Sequence, residues 1–215
     1  MTLGTVRTRA FEAQDGRIAR GYRTRQSILD AYEALMIDAD SPPTGAELAA
    51  RAGVSARSVF THFSDMDGVL AAVGRRAFEW VIATHVDIPV HLPLSERLDR
   101  FMARQAQLLE RTAPVSLAFR MVRHGRRRGE CAPAVGEILG GVDLIRRRYL
   151  DYVFAREIDH AGSEGPDVLE ALVAGTSWNV WHALRVAQEL DVERARSVMR
   201  RCLWGVLAPW QDRRV

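Results

Sequence analysis

The residues best suited to chemistry lie close together, between positions 55 and 62. Ser55, Ala56, Arg57, Ser58, Thr61 and His62 bring hydroxyls, a guanidinium, an imidazole and small methyl groups into one short stretch. Arg57 has paired donors that match the O6 and N7 atoms of guanine, and the methyls of Ala56 and Thr61 suit the thymine methyl. Hydroxyls, ring N–H groups and helix-end amides suit phosphate oxygens. This is the chemistry of nucleic-acid contact, in which no covalent bond changes. Covalent chemistry finds little support elsewhere. His62, His85, His91, His124, His160 and His182 are scattered, no nucleophile motif or glycine-rich phosphate loop occurs, and Cys131 and Cys202 lack a nearby sequence partner. No histidine, cysteine and carboxylate set has metal-ligand spacing. The sequence therefore predicts no enzyme, no metal and no cofactor.

Such side chains can read a groove only from a rigid frame, and residues 44–63, TGAELAARAGVSARSVFTHF, predict one. Thr44 and Glu47 have the spacing of a reciprocal cap, and Leu48, Ala49 and Ala52 supply an inward stripe. That helix should stop at Gly53, because glycine takes the left-handed geometry of a tight turn. Ser55 is a second cap, with Val54 before it and Val59 after it placed as a hydrophobic staple. Two short helices joined by such a turn form a helix-turn-helix. Its second helix, about 56–62, should expose Arg57, Ser58 and Thr61, while Val59, Phe60 and Phe63 face or close a small core.

A short helical hairpin also serves as plain packing, so the flanks matter. Upstream, Ile28, Leu29, Tyr32, Leu35 and Met36 recur at spacings of three and four on a helix expected from about Arg25 to Ala39. The breaker cluster DADSPPTG follows. Downstream, Ser64 is placed to cap a connecting helix that begins near Asp65, has Asp67 in its first turn, and carries Val69, Leu70, Val73, Ala77, Trp80 and Val81.

As a set, the helix ending near 34–37, ELAARAGVSARSVFTHF and the following SDMDGVLAAV resemble the tetracycline-repressor-like (TetR) family of bacterial transcriptional regulators. The resemblance covers about residues 24–73. It implies an all-α protein with a three-helix DNA-binding domain over 24–73 and an effector-binding and dimerisation domain over 74–215, and the residues ahead of it, 1–23, are read as a basic N-terminal arm. It also implies a homodimer on a palindromic double-stranded DNA operator, acting as a ligand-responsive repressor. The alternative is an activator or constitutive regulator of the same fold with no small-molecule effector. Arg25, Thr44 with the amides after it, Ser58 and His62 would hold phosphates, Ser55 belongs to the same interface, and Ala56, Arg57 and Thr61 would meet base edges. His62 can equally be a neutral histidine packed beside Phe63. Two positions depart from the family. Its usual tyrosine at Phe60 and lysine near Met66, both used on phosphates, are absent, so those contacts must be missing or replaced.

Bulk composition agrees without deciding. A chain of 215 residues with 47% hydrophobic content can build one small and one medium domain. The formal net charge of +3 is too small to argue for nucleic acid by itself, so the case rests on where the charges sit. All 30 basic side chains are arginine, and each can donate two parallel hydrogen bonds to a phosphate. Arg7, Arg9, Arg17, Arg20 and Arg23 against Glu12 and Asp15 make residues 1–23 either a basic arm for the phosphate backbone or minor groove, or an ordinary disordered tail. No apolar run has the length of a signal peptide or membrane span, which predicts a cytoplasmic chain with no membrane partner. Cys202 is expected buried in an apolar stripe and Cys131 exposed near a loop.

Beyond the connecting helix, HVDIPVHLPL changes direction. Helices are expected from Ser95 to about Leu109, from Pro114 past Val122, from about Ala134 to Ile158, over 166–188, and over 192–208 behind a cap at Asp191. The basic run 123–130 is read as a solvated loop. Trp80, Phe101, Met102, Phe119, Met121, Tyr149, Tyr152, Trp178 and Trp181 either fill a core or line a cavity for an apolar or aromatic effector, with His124, Asn179 and His182 as polar contacts. The last two helices have more apolar circumference than one protomer needs. Leu169, Val173, Val180, Leu184, Met199, Leu203 and Val206 are the candidate dimer seam, and in the resembling family this pair forms a four-helix bundle with its mate. A dimer sets two reading heads in successive major grooves about 34–36 Å apart.

Overall fold

Caps and breakers set the ends of most helices. The computed structural model describes residues 4–37, 41–125 and 133–211, and the side chains of these apart from 4–17, 123–125, 133–135 and 139. The protein is all-α. The described residues form α1 (Gly4–Leu35), α2 (Gly45–Ala52), α3 (Ala56–His62), α4 (Met66–Ala83), α5 (Leu94–Gly125), α6 (Pro133–Val153), α7 (Ala155–His160), α8 (Gly165–Gly175), α9 (Trp178–His182) and α10 (Val192–Leu207). A π-helical turn, Ala183–Ala187, extends α9. Among the described residues there is no strand, and no helix is long and apolar enough to cross a membrane. The chain divides into two compact units: residues 1–76 with 117–135, and residues 77–116 with 136–215.

In the first unit the predicted stripes meet. Ile28, Leu29, Tyr32 and Met36 of α1, Leu48 and Ala49 of α2, Val59 of α3, Phe63, and Val69, Leu70 and Val73 of α4 are all buried. Burying each of the larger aliphatic side chains contributes about 1.5–3 kcal/mol before the entropy of ordering it. Arg76 ties α4 to α1 through ion pairs to Asp30 (2.6 Å) and Glu33 (2.7 Å). Two expectations change here. The first helix runs from Gly4 to Leu35, so the predicted arm and the predicted first helix are continuous. The cap of α4 is Asp65, whose Oδ1 accepts from the Gly68 amide at 2.7 Å, and not Ser64; a helix starting at Met66 puts Asp65 at the capping position.

The second unit has a core built from Leu98, Phe101 and Met102 of α5, Leu150 and Val153 of α6, Phe154, Leu172 of α8, Trp181 of α9, and Met199, Leu203 and Leu207 of α10. Within it lies an ion pair that sequence periodicity does not reveal. Arg97 donates to both carboxylate oxygens of Glu157 (2.9 and 2.5 Å), to the Val153 carbonyl (2.5 Å) and to the Leu92 carbonyl (3.0 Å).

Four predicted helices have different bounds. α5 runs unbroken through Pro114, where two helices were expected; the proline removes one ladder hydrogen bond without ending the helix. The expected 134–158 helix divides at Phe154 into α6 and α7. The expected 166–188 helix breaks at Thr176–Ser177. There the buried Thr176 hydroxyl folds back onto the Leu172 carbonyl (2.8 Å), Gln105 Nε2 donates to the Thr176 carbonyl (2.9 Å), and Ser177 caps α9. Such side-chain bonds to the main chain compete with the helix ladder. Cys202 is exposed, not buried, because it falls off the stripe formed by Ala195, Met199, Leu203 and Leu207. The basic run, expected as a loop from 123, begins inside the helix, since α5 continues to Gly125; the His124 side chain, residues 126–130 and Cys131 lie outside the described residues.

Candidate nucleic-acid interface

The reading head starts from its caps. The Glu47 amide donates to Thr44 Oγ1 at 3.3 Å, and the Thr44 amide donates to Glu47 Oε2 at 2.8 Å, the complete reciprocal cap. The Thr44 amide, and after it the hydroxyl, hold the Glu47 carboxyl below its usual range. At the other end of α2, Gly53 adopts φ 68°, and the Val54 amide returns to the Ala49 carbonyl at 3.0 Å. That turn delivers Ser55, whose Oγ accepts from the Ser58 amide at 3.1 Å and fixes the first turn of α3. Two short helices are therefore held by bonds that the residue types themselves prescribe.

α3 is buried along Val59 and open along Ala56, Arg57 and Thr61, while Ser58 and His62 are half-buried. The Arg57 side chain has no hydrogen bond or ion pair among the described residues, so its paired donors face solvent. Thr61 donates its hydroxyl hydrogen to the Arg57 carbonyl at 2.8 Å, which leaves its methyl and oxygen lone pairs for an outside partner. Thr44 and Ser55 are exposed at the starts of their helices, where free amides favour anions.

Phe60 corrects the sequence expectation: Phe63 is buried, but Phe60 is 49% exposed. Its ring lies across the start of α2, so close that a Cβ at Gly45 would come 2.9 Å from its Cζ. Glycine at position 45 permits that approach. The ring packs on backbone, which explains how a large apolar group sits on an otherwise polar surface.

Arg25, expected at a phosphate, is partly committed inward. Its Nη1 donates to the His62 carbonyl at 3.1 Å, and its guanidinium stands 4.3 Å above the Phe63 ring. It thereby braces the C-terminal end of α3, a role that local sequence spacing cannot reveal across 37 positions. α1 also passes the His62 ring, since a Cβ at Gly21 would lie 3.8 Å from His62 Cε1.

Residues 28–73, which contain this head, match the family model described as bacterial regulatory proteins, tetR family. Through this segment the chain is similar to the tetR family. It is a DNA-binding transcriptional regulator. The similarity in fold extends over most of the chain. A transcriptional regulator from Rhodococcus sp. Rha1 superposes with a TM-score of 0.66 at 21% identity, covering 91% of this chain and 99% of that one. The multidrug binding protein EbrR, complexed with imidazole, gives 0.54 at 23% identity, with 83% and 93% covered. A TetR-family member from Streptomyces coelicolor A3 gives 0.52 at 22% identity, with 83% and 97% covered. No curated protein gives a significant match.

The predicted effector residues of this regulator are divided between the units. Phe119 and Met121 belong to the first; Trp80, Phe101, Met102, Tyr149, Tyr152, Trp178 and Trp181 belong to the second. Within the second unit most have protein partners. Phe101 packs against Tyr149 and Phe154 with ring centroids 5.8 and 5.6 Å apart. Arg104 stands 5.2 Å over the Trp80 ring, Trp178 stacks on His182 at 4.5 Å, and the Tyr149 hydroxyl donates to the Val86 carbonyl at 2.6 Å. The Trp181 indole donates to Glu110 Oε1 at 2.7 Å, and Arg185 donates to the same carboxylate. Tyr152 is exposed. A polar surface cleft of about 290 Å³ is lined by Asp99, Met102, Arg196, Ser197 and Arg200, and of the predicted effector residues only Met102 reaches it.

The predicted seam also divides. Leu184, Met199 and Leu203 are buried in their own protomer's core, which removes them as surface contacts. Leu169, Val173 and Val206 are half-buried and Val180 is exposed. Helical spacing cannot separate an inner from an outer apolar face when both lie on one broad stripe.

Proposed function

We propose that this regulator is a cytoplasmic, non-enzymatic repressor that binds a palindromic operator as a homodimer and releases it when an apolar or aromatic small molecule binds. The observation that carries the DNA side is α3 itself, a short helix capped by Ser55 and buried along Val59, with Ala56, Arg57 and Thr61 turned outward. Arg57 suits guanine, and the methyls of Ala56 and Thr61 suit thymine; Thr44, Ser55, Ser58, Arg25 and His62 hold the backbone register. One such head touches few base edges. A two-fold dimer joined through Leu169, Val173, Val180 and Val206 doubles the contact and requires a palindrome.

Selection of randomised duplexes by the intact protein, followed by sequencing, tests this reading. An enriched palindrome is expected, and its absence would sink the proposal. The sign of regulation is then read from reporter expression off that palindrome, with and without the protein.

A second reading, a constitutive regulator with no effector, is favoured by one observation: Phe101, Met102 and Trp181 are each 1% exposed and packed among other core side chains. Calorimetric titration of candidate aromatic compounds, with and without operator, separates the two. An effector that releases DNA must bind more weakly by the same factor when DNA is present, because the coupling is reciprocal. Equal affinity in both titrations favours the constitutive regulator.

A further inference from the structure

We infer that the N-terminal extension of α1 is a second DNA-contacting element, which holds phosphates flanking each half-site without reading bases; this rests on α3 being the reading helix. The first argument is charge. Arg7, Arg9, Arg17, Arg20, Arg23 and Arg25 against Glu12 and Asp15 give residues 1–25 a balance of +4, while the whole chain carries +3, so all that follows Arg25 sums to −1. Affinity for a duplex comes largely from cations that displace its counterions. In this protein the net excess of such cations lies entirely in the extension.

The second argument is position. α1 is fastened to the C-terminal end of α3, through Gly21 beside the His62 ring and Arg25 on the His62 carbonyl and the Phe63 ring. Reading helices turn their N-terminal residues to the base edges. The opposite end of α3, where α1 passes, therefore belongs at the rim of the groove, where the phosphates lie. Arg20 and Arg23 are exposed there, and neither has a hydrogen bond or ion pair among the described residues. Tyr22, 64% exposed, adds a phenolic hydroxyl. Arg25 is the anchor; Arg20 and Arg23 are the free cations.

The third argument is reach. From Gly21 back to Gly4 the backbone continues as helix, about 25 Å at roughly 1.5 Å per residue, against a major groove about 12 Å wide. The extension is long enough to pass the groove edge and follow the flanking strand. A contact of this kind adds affinity and salt dependence uniformly across sequences and leaves base preference to α3.

The test compares the intact protein with Arg20→Gln/Arg23→Gln and Arg20→Lys/Arg23→Lys. Binding is measured by fluorescence anisotropy on the selected palindrome, cut flush or extended by roughly one helical turn on each side, over a range of salt. The glutamine pair should lower the slope of log affinity against log salt by about two, at roughly 0.9 per phosphate contact, and should reduce the gain from the longer flanks. Preference for the palindrome over a scrambled duplex should stay unchanged, and the lysine pair should restore slope and flank gain. An unchanged slope and flank gain in the glutamine pair, with palindrome preference intact, overturns the extension as a DNA contact and leaves the regulator reading standing. Absence of palindrome preference in the unmodified protein overturns the regulator reading itself.

Discussion

Arg97 and Glu157, separated by 60 positions, form a two-pronged ion pair inside the second unit, with 1% and 5% of their side chains exposed. The Leu92 and Val153 carbonyls take further guanidinium hydrogens. One residue therefore joins the turn before α5, the end of α6 and α7. Removing either charge strands the other in a dry core. Glu157→Gln should cost about 3–5 kcal/mol in urea unfolding, while replacing both partners by well-packed apolar residues should cost far less. A Glu157→Gln protein as stable as the parent would mean that the site is wet.

Arg57→Ala should relax preference at one base pair of the half-site and cost about 1–3 kcal/mol on the preferred duplex, with little loss on others. The measurement is competition binding against single-base variants of the palindrome. A loss spread evenly over all sequences would reassign Arg57 to a phosphate.

Gly53→Ala should destabilise the protein by about 1 kcal/mol, because an L side chain is disfavoured in the left-handed region. Nothing lies within 4 Å of the added Cβ, so the cost is purely one of backbone conformation. Gly53→Asn should recover part of it, since asparagine tolerates this geometry. Thermal unfolding of the three proteins tests the order; alanine matching glycine would contradict the strain argument.

Val180→Glu should give folded monomers on equilibrium sedimentation, since Val180 is 37% exposed. Leu203→Ala should instead lower stability by about 2–5 kcal/mol, as for a buried leucine. A Val180→Glu protein that remains dimeric would move the seam away from α9.

Alkaline pH should act through two tyrosines. Burial, and after it Asp67, pushes the Tyr32 hydroxyl up to about 12; burial, and after it Asp87, raises Tyr149 to about 12 against the opposing effect of Arg104. Both values are raised on folding, so their stabilising contribution is complete below the ordinary tyrosine value of about 10 and is lost as pH climbs from there toward 12. Urea midpoints across that window should fall, and Tyr32→Phe should remove its share of the fall. A midpoint that is flat with pH would contradict the shifts.

The sequence alone determined the reading head, because its signals are local. The Thr44–Glu47 cap, the turn at Gly53 and the Ser55 cap each act within four residues, a range over which side-chain and backbone bonds follow from residue type. The same short range made Asp191 legible as the cap of α10. Tertiary structure decided everything that depends on distant neighbours. Phe60 is apolar and was placed toward the core, but its fate turned on the missing Cβ at Gly45. Arg25 was expected at a phosphate and Arg97 drew no expectation, yet the His62 carbonyl and Glu157 give them inward partners. The division of Leu203, buried, from Val180, exposed, was likewise invisible. Helical periodicity states which residues share a face, whereas only packing across many positions of chain decides whether that face meets its own core, a second copy or solvent.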